Sequence, residues 1–335
     1  MKTENKPKKH IVGKVLLAIA GVLLLLLIID ICITEIYAAK IPHRFASAKE
    51  GRELVLSNND YFSQLSQLDI ELRLGRSGAT RDELIETAGA SIKDFNIFEK
   101  YIIDKSIAKM ARTLSKNDYD LPLPEEIVFA KCDMSAEIGS PSGYTQGYCI
   151  YLNPFNIGAS LIPGSGQFFD QLIWHELFHC LTRNNPDFKA QMYSVIDFKV
   201  ADSDFELPPC VRDRYLGNPD VEHHNSYATF DIDGQKIDCF LVEIADIDPS
   251  EVQPGVIPDS IVALVPIDGT DIYYTSEQAS NFDEVLGTNT GYVTDPEECL
   301  ADNFKYAMYF GMKGINGQEY PNPEIVQAII DNVSR

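Results

Sequence analysis

The amino-terminal segment holds an apolar run that constrains the fold of this chain more than any other feature. From Val15 to Ile29 there are fifteen residues without one polar side chain. A core helix of a soluble protein rarely lacks a polar face over four turns, and about 20 apolar residues are enough to cross a bilayer. The run therefore predicts a transmembrane helix over residues 15–36.

A cleaved signal peptide is the main alternative to an anchor. Its cleavage site requires small residues at positions −3 and −1. Near Ala38–Ala39 the −3 position would be Ile36 or Tyr37, and both are too large. We therefore expect an uncleaved, single-pass anchor in the cell membrane. Five lysines and one acid in residues 1–14 favour a cytoplasmic tail there and an extracytoplasmic domain over residues 40–335.

The remaining chain is strongly acidic. Residues 40–335 hold 23 basic and 47 acidic side chains, a net charge of −24. Because phosphate contacts need a positive face, this balance argues against a nucleic-acid partner. Seven cysteines include Cys32 in the apolar run, and the six others permit disulfides without demanding them.

Hydrophobic periodicity predicts an α+β domain in four parts. Apolar residues at steps of three and four indicate helices in the first part, whereas alternation and turn residues indicate strands in the middle. The expected parts are a helical lead-in (44–118), a core of strands and one helix (125–186), a β-rich insertion (207–290) and a carboxy-terminal helical part (296–335).

Several elements can be placed within these parts. The Asp233-Gly234 pair supplies the positive φ of a type I′ turn and predicts a hairpin. The expected strands cover 127–132, 147–152, 227–232, 236–244, 261–267 and 271–275, and the expected helices cover 167–182, 296–310 and 324–333.

The helix over 167–182 contains the sequence His175-Glu176-Leu177-Phe178-His179. His175 and His179 are one helical turn apart, so both imidazoles project from one face and can reach a single ion. Glu176 is rotated by about 100° from His175 and approaches the open side of that ion. In that position it can accept a proton from water.

A zinc site needs a third protein ligand. A metzincin would have Gly at 182 and His at 185, but the chain has Thr182 and Asn185. The Gly-Thr-x-x-Asp pattern of an aspzincin is also missing. Glu298 and Asp302 have the i, i+4 spacing that puts a ligand and an orienting carboxylate on one helix face. Glu297 is the alternative ligand.

With these two motifs the chain resembles the gluzincin zinc metallopeptidases of the thermolysin and neprilysin type. The resemblance implies a zincin-like fold in which a small mixed sheet presents one edge strand, Gly147–Leu152, to an extended peptide or protein substrate. It also implies one role for each motif residue: zinc ligands His175, His179 and Glu298, general base Glu176, and imidazole-orienting Asp302.

Two departures from the family pattern leave the oxyanion donor open. Between His179 and Glu298 the chain inserts 118 residues, and no histidine follows His224. The missing donor would come from the insertion or from the helix after the third ligand, and the candidates are His223, His224 and Tyr227, or Tyr306 and Tyr309. Alternatively, Glu222-His223-His224 is a surface metal clip or a polar loop.

The sequence therefore predicts zinc-dependent peptide hydrolysis on the outer face of the membrane. The alternative is an anchored binding protein whose zinc is structural or whose site is vestigial. Cys180 and Cys299 each follow a proposed ligand, but each is turned by about 100° from it, so we expect both to pack in the core.

Overall fold

The computed structural model describes residues 7–134, 143–247 and 258–335. About 52% of the chain is helical, and two small sheets of five strands each complete the fold. The α+β class is confirmed. All seven cysteines are free thiols, and Cys180 and Cys299 are buried in the main core, so the permitted disulfides do not form.

The first described element is helix α1 (Pro7–Ala38). Its portion Gly13–Ala38 is long and apolar enough to cross a membrane, and none of its most hydrophobic window is buried in the protein. The last turns are different, because Thr34 and Ala38 are almost fully buried against the domain. The helix therefore has a free apolar part and a packed end.

The helical lead-in is confirmed, with short strands added. Serine, threonine and asparagine caps begin its helices, and Asn96 and Glu99 form a capping box at the start of the longest. The helices are α2 (Ala48–Ser57), α3 (Asn59–Gln64), α4 (Gln67–Leu74), α5 (Arg81–Ala90) and α6 (Ile97–Asn117). Strands β1 (His43–Phe45) and β2 (Ile92–Lys93) are too short to leave an alternating pattern in the sequence.

The first sheet also contains β3 (Ile127–Cys132), β4 (Gly143–Gln146) and β5 (Cys149–Leu152). Its order is β1-β3-β5-β4, and β2 pairs with the last residues of β3, beyond the part that pairs with β1. Strands β2 and β4 run antiparallel to the strands they pair with, whereas the other pairs are parallel. The expectation that 147–152 is the edge strand was wrong, because β5 lies between β3 and β4. The edge is formed by β4.

Helices surround this sheet and carry the predicted motifs. Helices α7 (Pro154–Ala159), α8 (Gly166–Asn184) and α9 (Pro186–Tyr193) follow β5 directly. Near the carboxyl end, α11 (Phe282–Leu286) leads to α12 (Pro296–Phe310), and α13 (Pro323–Val333) is the last helix. The main core joins α6, α8, α12 and α13 around Trp174, Phe178 and Phe304.

The insertion forms a second, antiparallel sheet with the order β10-β9-β8-β7-β6. Its members are β6 (Lys199–Val200), β7 (Ser226–Ile232), β8 (Gln235–Ala245), β9 (Ser260–Pro266) and β10 (Tyr274–Thr275), and α10 (Pro209–Arg212) lies between β6 and β7. Asp233 and Gly234 have φ angles of 50° and 76°, which confirms the predicted hairpin turn.

Candidate metal centre

Helices α8 and α12 pack against each other in opposite directions and bring the two sequence motifs together. His175 faces Asp302, whereas His179, one turn later on α8, faces Glu297 at the start of α12. Phe178 packs on Phe304 with ring centroids 5.2 Å apart on the core side. The polar faces of the two helices therefore meet over an apolar base.

Three buried side chains converge between these helices. The Nε2 atom of His175 lies 3.0 Å from Oε2 of Glu298, and Nε2 of His179 lies 3.6 Å from the same oxygen. Zinc at about 2.0–2.2 Å from its ligands, in tetrahedral geometry, separates two donor atoms by roughly 3.3 Å. The observed distances bracket that value, so the cluster of His175, His179 and Glu298 could hold a metal ion.

One imidazole nitrogen in this cluster lacks a hydrogen-bond partner among the described residues. His179 is fully buried, and its Nε2 atom makes no hydrogen bond among the residues that the structure describes. A buried polar atom without a partner costs free energy, about 1–3 kcal/mol. Nε2 of His179 is therefore directed at a ligand position, as a metal site requires.

The other nitrogen of each imidazole is held by a carboxylate of α12. Nδ1 of His175 lies 3.0 Å from Oδ1 of Asp302, and Nδ1 of His179 lies 2.9 Å from Oε1 of Glu297. Such pairs fix the tautomer and the ring orientation of metal-binding histidines. Glu297, the alternative ligand from the sequence, therefore lies on the far side of His179 from the ligand cluster.

Charges in the cluster shift the pKa values of its members. Burial alone would lower the pKa of His175, but its hydrogen bonds with Asp302 and Glu298 raise it well above the ordinary value. Burial would likewise raise the pKa of Glu298, yet the two imidazoles hold it at about 2. The metal-free chain thus favours an anionic Glu298, which is the form that binds a cation.

Glu176 lies beside the cluster and is held by the edge strand. Its Oε2 atom accepts a hydrogen bond of 2.8 Å from Oγ1 of Thr145 on β4. A Cβ atom at Gly143 would lie 3.1 Å from Oε1 of Glu176 and 3.0 Å from the carbonyl oxygen of Tyr151. The glycine therefore lets β4 approach the carboxylate closely. Burial raises the pKa of Glu176.

Sequence reasoning missed three residues of this site. Nδ2 of Asn218 donates to Oε1 of Glu298 at 2.5 Å, and the hydroxyl of Tyr292 donates to the same oxygen at 3.1 Å. Oδ1 of Asp220 lies 4.0 Å from Nε2 of His179, and burial raises the pKa of Asp220 to about 8. All three lie in loops, where no periodicity or motif distinguishes them.

A cleft of about 620 Å³ opens onto the cluster. His175, Glu176 and Glu298 line its floor, and Asp220 and Tyr292 form part of its wall. Phe168, at the start of α8, lies at the mouth and is 66% exposed. The arrangement can place a small polar group of a ligand against His175, Glu298 and Glu176 together, with His179 buried behind them.

The edge of β4 is only partly open beside this cleft. The main-chain N–H of Thr145 donates to Oδ1 of Asp220 at 2.6 Å, and its carbonyl oxygen accepts from the guanidinium of Arg183. These groups point away from β5, so an added strand has no free partner at Thr145. An extended ligand could pair with β4 only towards Gly143.

The expected oxyanion donors of the insertion do not lie in the cleft. His223 is exposed and pairs with Asp204 at 3.0 Å, whereas Nε2 of His224 lies 3.1 Å from the hydroxyl of Tyr215. Tyr227 packs edge-to-face on Phe205. The part of the insertion that carries these three side chains therefore does not place them at the cleft. Tyr306 stacks on Tyr320, and Tyr309 packs on Phe310, also outside the cleft.

No protein-family model, curated protein or solved structure matches this chain.

Proposed function

We propose that this chain is a membrane-anchored zinc peptidase of the gluzincin type with a zincin-like fold. The observation that carries the proposal is the convergence of His175, His179 and Glu298 beside a cleft that His175 and Glu298 line, with Nε2 of His179 buried and without a hydrogen bond among the described residues. Two imidazoles and one carboxylate are the ligand set of many catalytic zinc sites, which keep one position for water or substrate.

The side chains around the cluster can carry out peptide hydrolysis. Bound zinc would supply a Lewis acid that polarises the peptide carbonyl and lowers the pKa of water to about 7. Glu176 would accept the proton of the attacking water and later deliver it to the leaving amine. Burial raises the pKa of Glu176, which brings this carboxylate closer to the pH at which it must exchange protons.

Tyr292 is the best donor for the developing oxyanion. Its ring stacks on His175 with centroids 6.3 Å apart, and its hydroxyl contacts Glu298 at the cleft wall. A hydroxyl in this position can turn from the carboxylate to the substrate oxygen without a change in the backbone. This assignment replaces His223, His224 and Tyr227 in the oxyanion role.

The packed end of α1 supports an uncleaved anchor over a signal peptide. Tyr101 and Lys105 of α6 bind Asp30 at 2.5 and 2.7 Å, and Arg112 lies over the ring of Tyr37. Removal of residues 1–39 would expose this side of α6. With lysines preceding the apolar run, the proposed orientation places the amino terminus in the cytoplasm and the cleft outside.

A structural zinc site is the second candidate, and one observation favours it. Structural sites close with a fourth protein ligand, and Asp220 lies close enough to His179 and Glu176 to form a second potential metal-binding group. Asp220 would then complete the coordination, and no position would remain for water. The chain would act as an anchored binding protein.

The variant Glu176→Gln separates the two candidates. The zinc-loaded full chain in lipid nanodiscs is incubated with a mixed peptide library, with and without a chelator. We expect the wild type to cleave peptides and Glu176→Gln to retain zinc but lose cleavage, because the amide cannot accept the proton. Glu319→Gln, an exposed substitution, serves as the matched control. Comparable turnover in Glu176→Gln would contradict the assigned base, and a wild type that binds zinc but cleaves nothing would favour the structural site.

A further inference from the structure

The most exposed apolar side chains of the domain lie on α6, which packs against α1, and on the neighbouring segment from α7 to α8. Outside that helix, six large apolar residues of the described chain are more than half exposed, from 59% for Ile162 to 77% for Ile97. They come from the first turn of α6, from α7, from the loop after α7 and from the first turn of α8. We call this group the apolar patch, and it comprises Ile97, Phe98, Phe155, Leu161, Ile162 and Phe168.

Three members of the patch line two adjoining cavities. Phe98 and Leu161 line one cavity between α6 and the loop before α8, and Ser160 and Phe169 line both this cavity and the cleft. Phe168 lies at the same mouth. The patch therefore extends from the amino end of α6 to the entrance of the candidate metal centre.

The patch lies at the level of the free part of α1. Helices α1 and α6 run side by side in the same direction, because Asp30 contacts Tyr101 and Lys105 while Tyr37 contacts Arg112. Ile97 precedes Tyr101 by one turn, which places it beside the residues of α1 that precede Asp30. Those residues belong to the apolar run that would lie in the bilayer.

The apolar run is shorter than the hydrocarbon layer is thick, so a bilayer around α1 must also surround the residues at the level of the patch. Fifteen residues from Val15 to Ile29 span about 22 Å at 1.5 Å per residue, whereas the hydrocarbon layer is about 30 Å thick. A bilayer that begins near Lys14 therefore extends past Asp30. A carboxylate at that depth needs a partner, and Lys105 and Tyr101 of the domain supply it.

The net charge of α6 also favours contact between the apolar patch and a membrane. This helix carries five basic and two acidic side chains, a net charge of +3, in a chain whose total is −22. Basic side chains beside an inserted apolar surface favour anionic lipid headgroups. We propose that the apolar patch inserts into the outer layer of the bilayer beside α1, so that the mouth of the cleft lies at the membrane surface.

Fluorescence quenching tests this insertion in the full chain, independently of any catalysis. The chain has one tryptophan, Trp174, which is only 3% exposed and gives a background that wild-type samples measure. Phe98→Trp and Leu161→Trp place probes in the patch. Leu24→Trp in the apolar run is the positive control. Met312→Trp is the negative control, because Met312 is 44% exposed and lies near Lys116, at the far end of α6.

Each variant is reconstituted in nanodiscs with ordinary lipids or with lipids brominated in the acyl chains. We expect bromolipids to quench the added tryptophan at 98 and 161 several-fold more than at 312, and to a degree approaching that at 24. Quenching at 98 and 161 no greater than at 312 would overturn the proposal. Quenching at 98 alone would contradict the extension of the inserted surface to the mouth of the cleft.

Discussion

Replacing Glu297 and Glu298 by glutamine, one at a time, should separate the residue that orients a ligand from the residue that binds the metal. Oε1 of Glu297 accepts from Nδ1 of His179 at 2.9 Å, and Oε2 accepts from the hydroxyl of Tyr193 at 2.5 Å. Although burial would raise the pKa of Glu297, the hydrogen bond with His179 lowers it. Glu297 would therefore act on a bound metal only through the imidazole.

The expected losses of zinc affinity differ in size. In Glu297→Gln the amide oxygen still accepts from the imidazole, but the negative charge that increases its basicity is lost. Loss of such an outer contact typically weakens metal binding by about 10–100-fold, which is roughly 1.4–2.7 kcal/mol. Glu298→Gln removes one of three protein ligands, because a neutral amide binds zinc poorly, so we expect a loss above about 100-fold.

Competition with a chromophoric chelator at fixed pH measures both affinities in the full chain. Glu319→Gln is the matched surface control, and thermal unfolding with excess chelator verifies that the metal-free variants fold alike. Glu298 contacts Asn218 and Tyr292, and glutamine keeps the shape of those contacts. Equal affinities for the two variants, or a larger loss in Glu297→Gln, would refute the assignment of Glu298 as the ligand.

Three further predictions concern single residues. Gly143→Ala should lower turnover while zinc is retained, because its Cβ would lie 3.1 Å from Oε1 of Glu176; unchanged turnover would show that β4 does not constrain this carboxylate. Tyr292→Phe should lower kcat by about 10²–10³-fold with little effect on zinc affinity, and an unchanged kcat would remove Tyr292 from the oxyanion role. Burial lowers the pKa of His224 to about 4, so the unfolded chain protonates this imidazole first as pH falls below about 6.5. His224 by itself should therefore lower the free energy of unfolding by about 2 kcal/mol between pH 7.5 and 5. In urea unfolding, the free energy of unfolding of His224→Gln should lack this part of the pH dependence, whereas the exposed control His223→Gln should keep it. Identical pH profiles for the two variants would contradict the burial of a neutral imidazole at His224.

Local spacing made each half of the ligand cluster predictable, one half on α8 and the other on α12. His175 and His179 lie one helical turn apart, and so do Glu298 and Asp302, so each helix needed only its own sequence to put two groups on one face. The hairpin at Asp233-Gly234 was predictable for the same reason, since its turn residues fix the local backbone. These features depend on contacts within a few residues of chain.

Contacts between distant segments were not predictable in the same way. The order of β4 and β5 in the sheet depends on pairing with β3, and the alternating pattern of 147–152 does not say which strand is outermost. Asn218 and Asp220 reach the site because a loop of the insertion returns to α8, and nothing in their sequence marks that return. His223 and His224 were candidates because the insertion carries them, and their sequence does not show that they pair with Asp204 and Tyr215 instead of reaching the cleft.

Anomalous diffraction at the zinc edge, from crystals of the zinc-loaded full chain, tests the proposed metal centre most directly. We expect one strong peak about 2.0–2.2 Å from Nε2 of His175, Nε2 of His179 and a carboxylate oxygen of Glu298, with no fourth protein ligand. A peak that lies elsewhere in the chain, or none at that cluster, would contradict the proposed function.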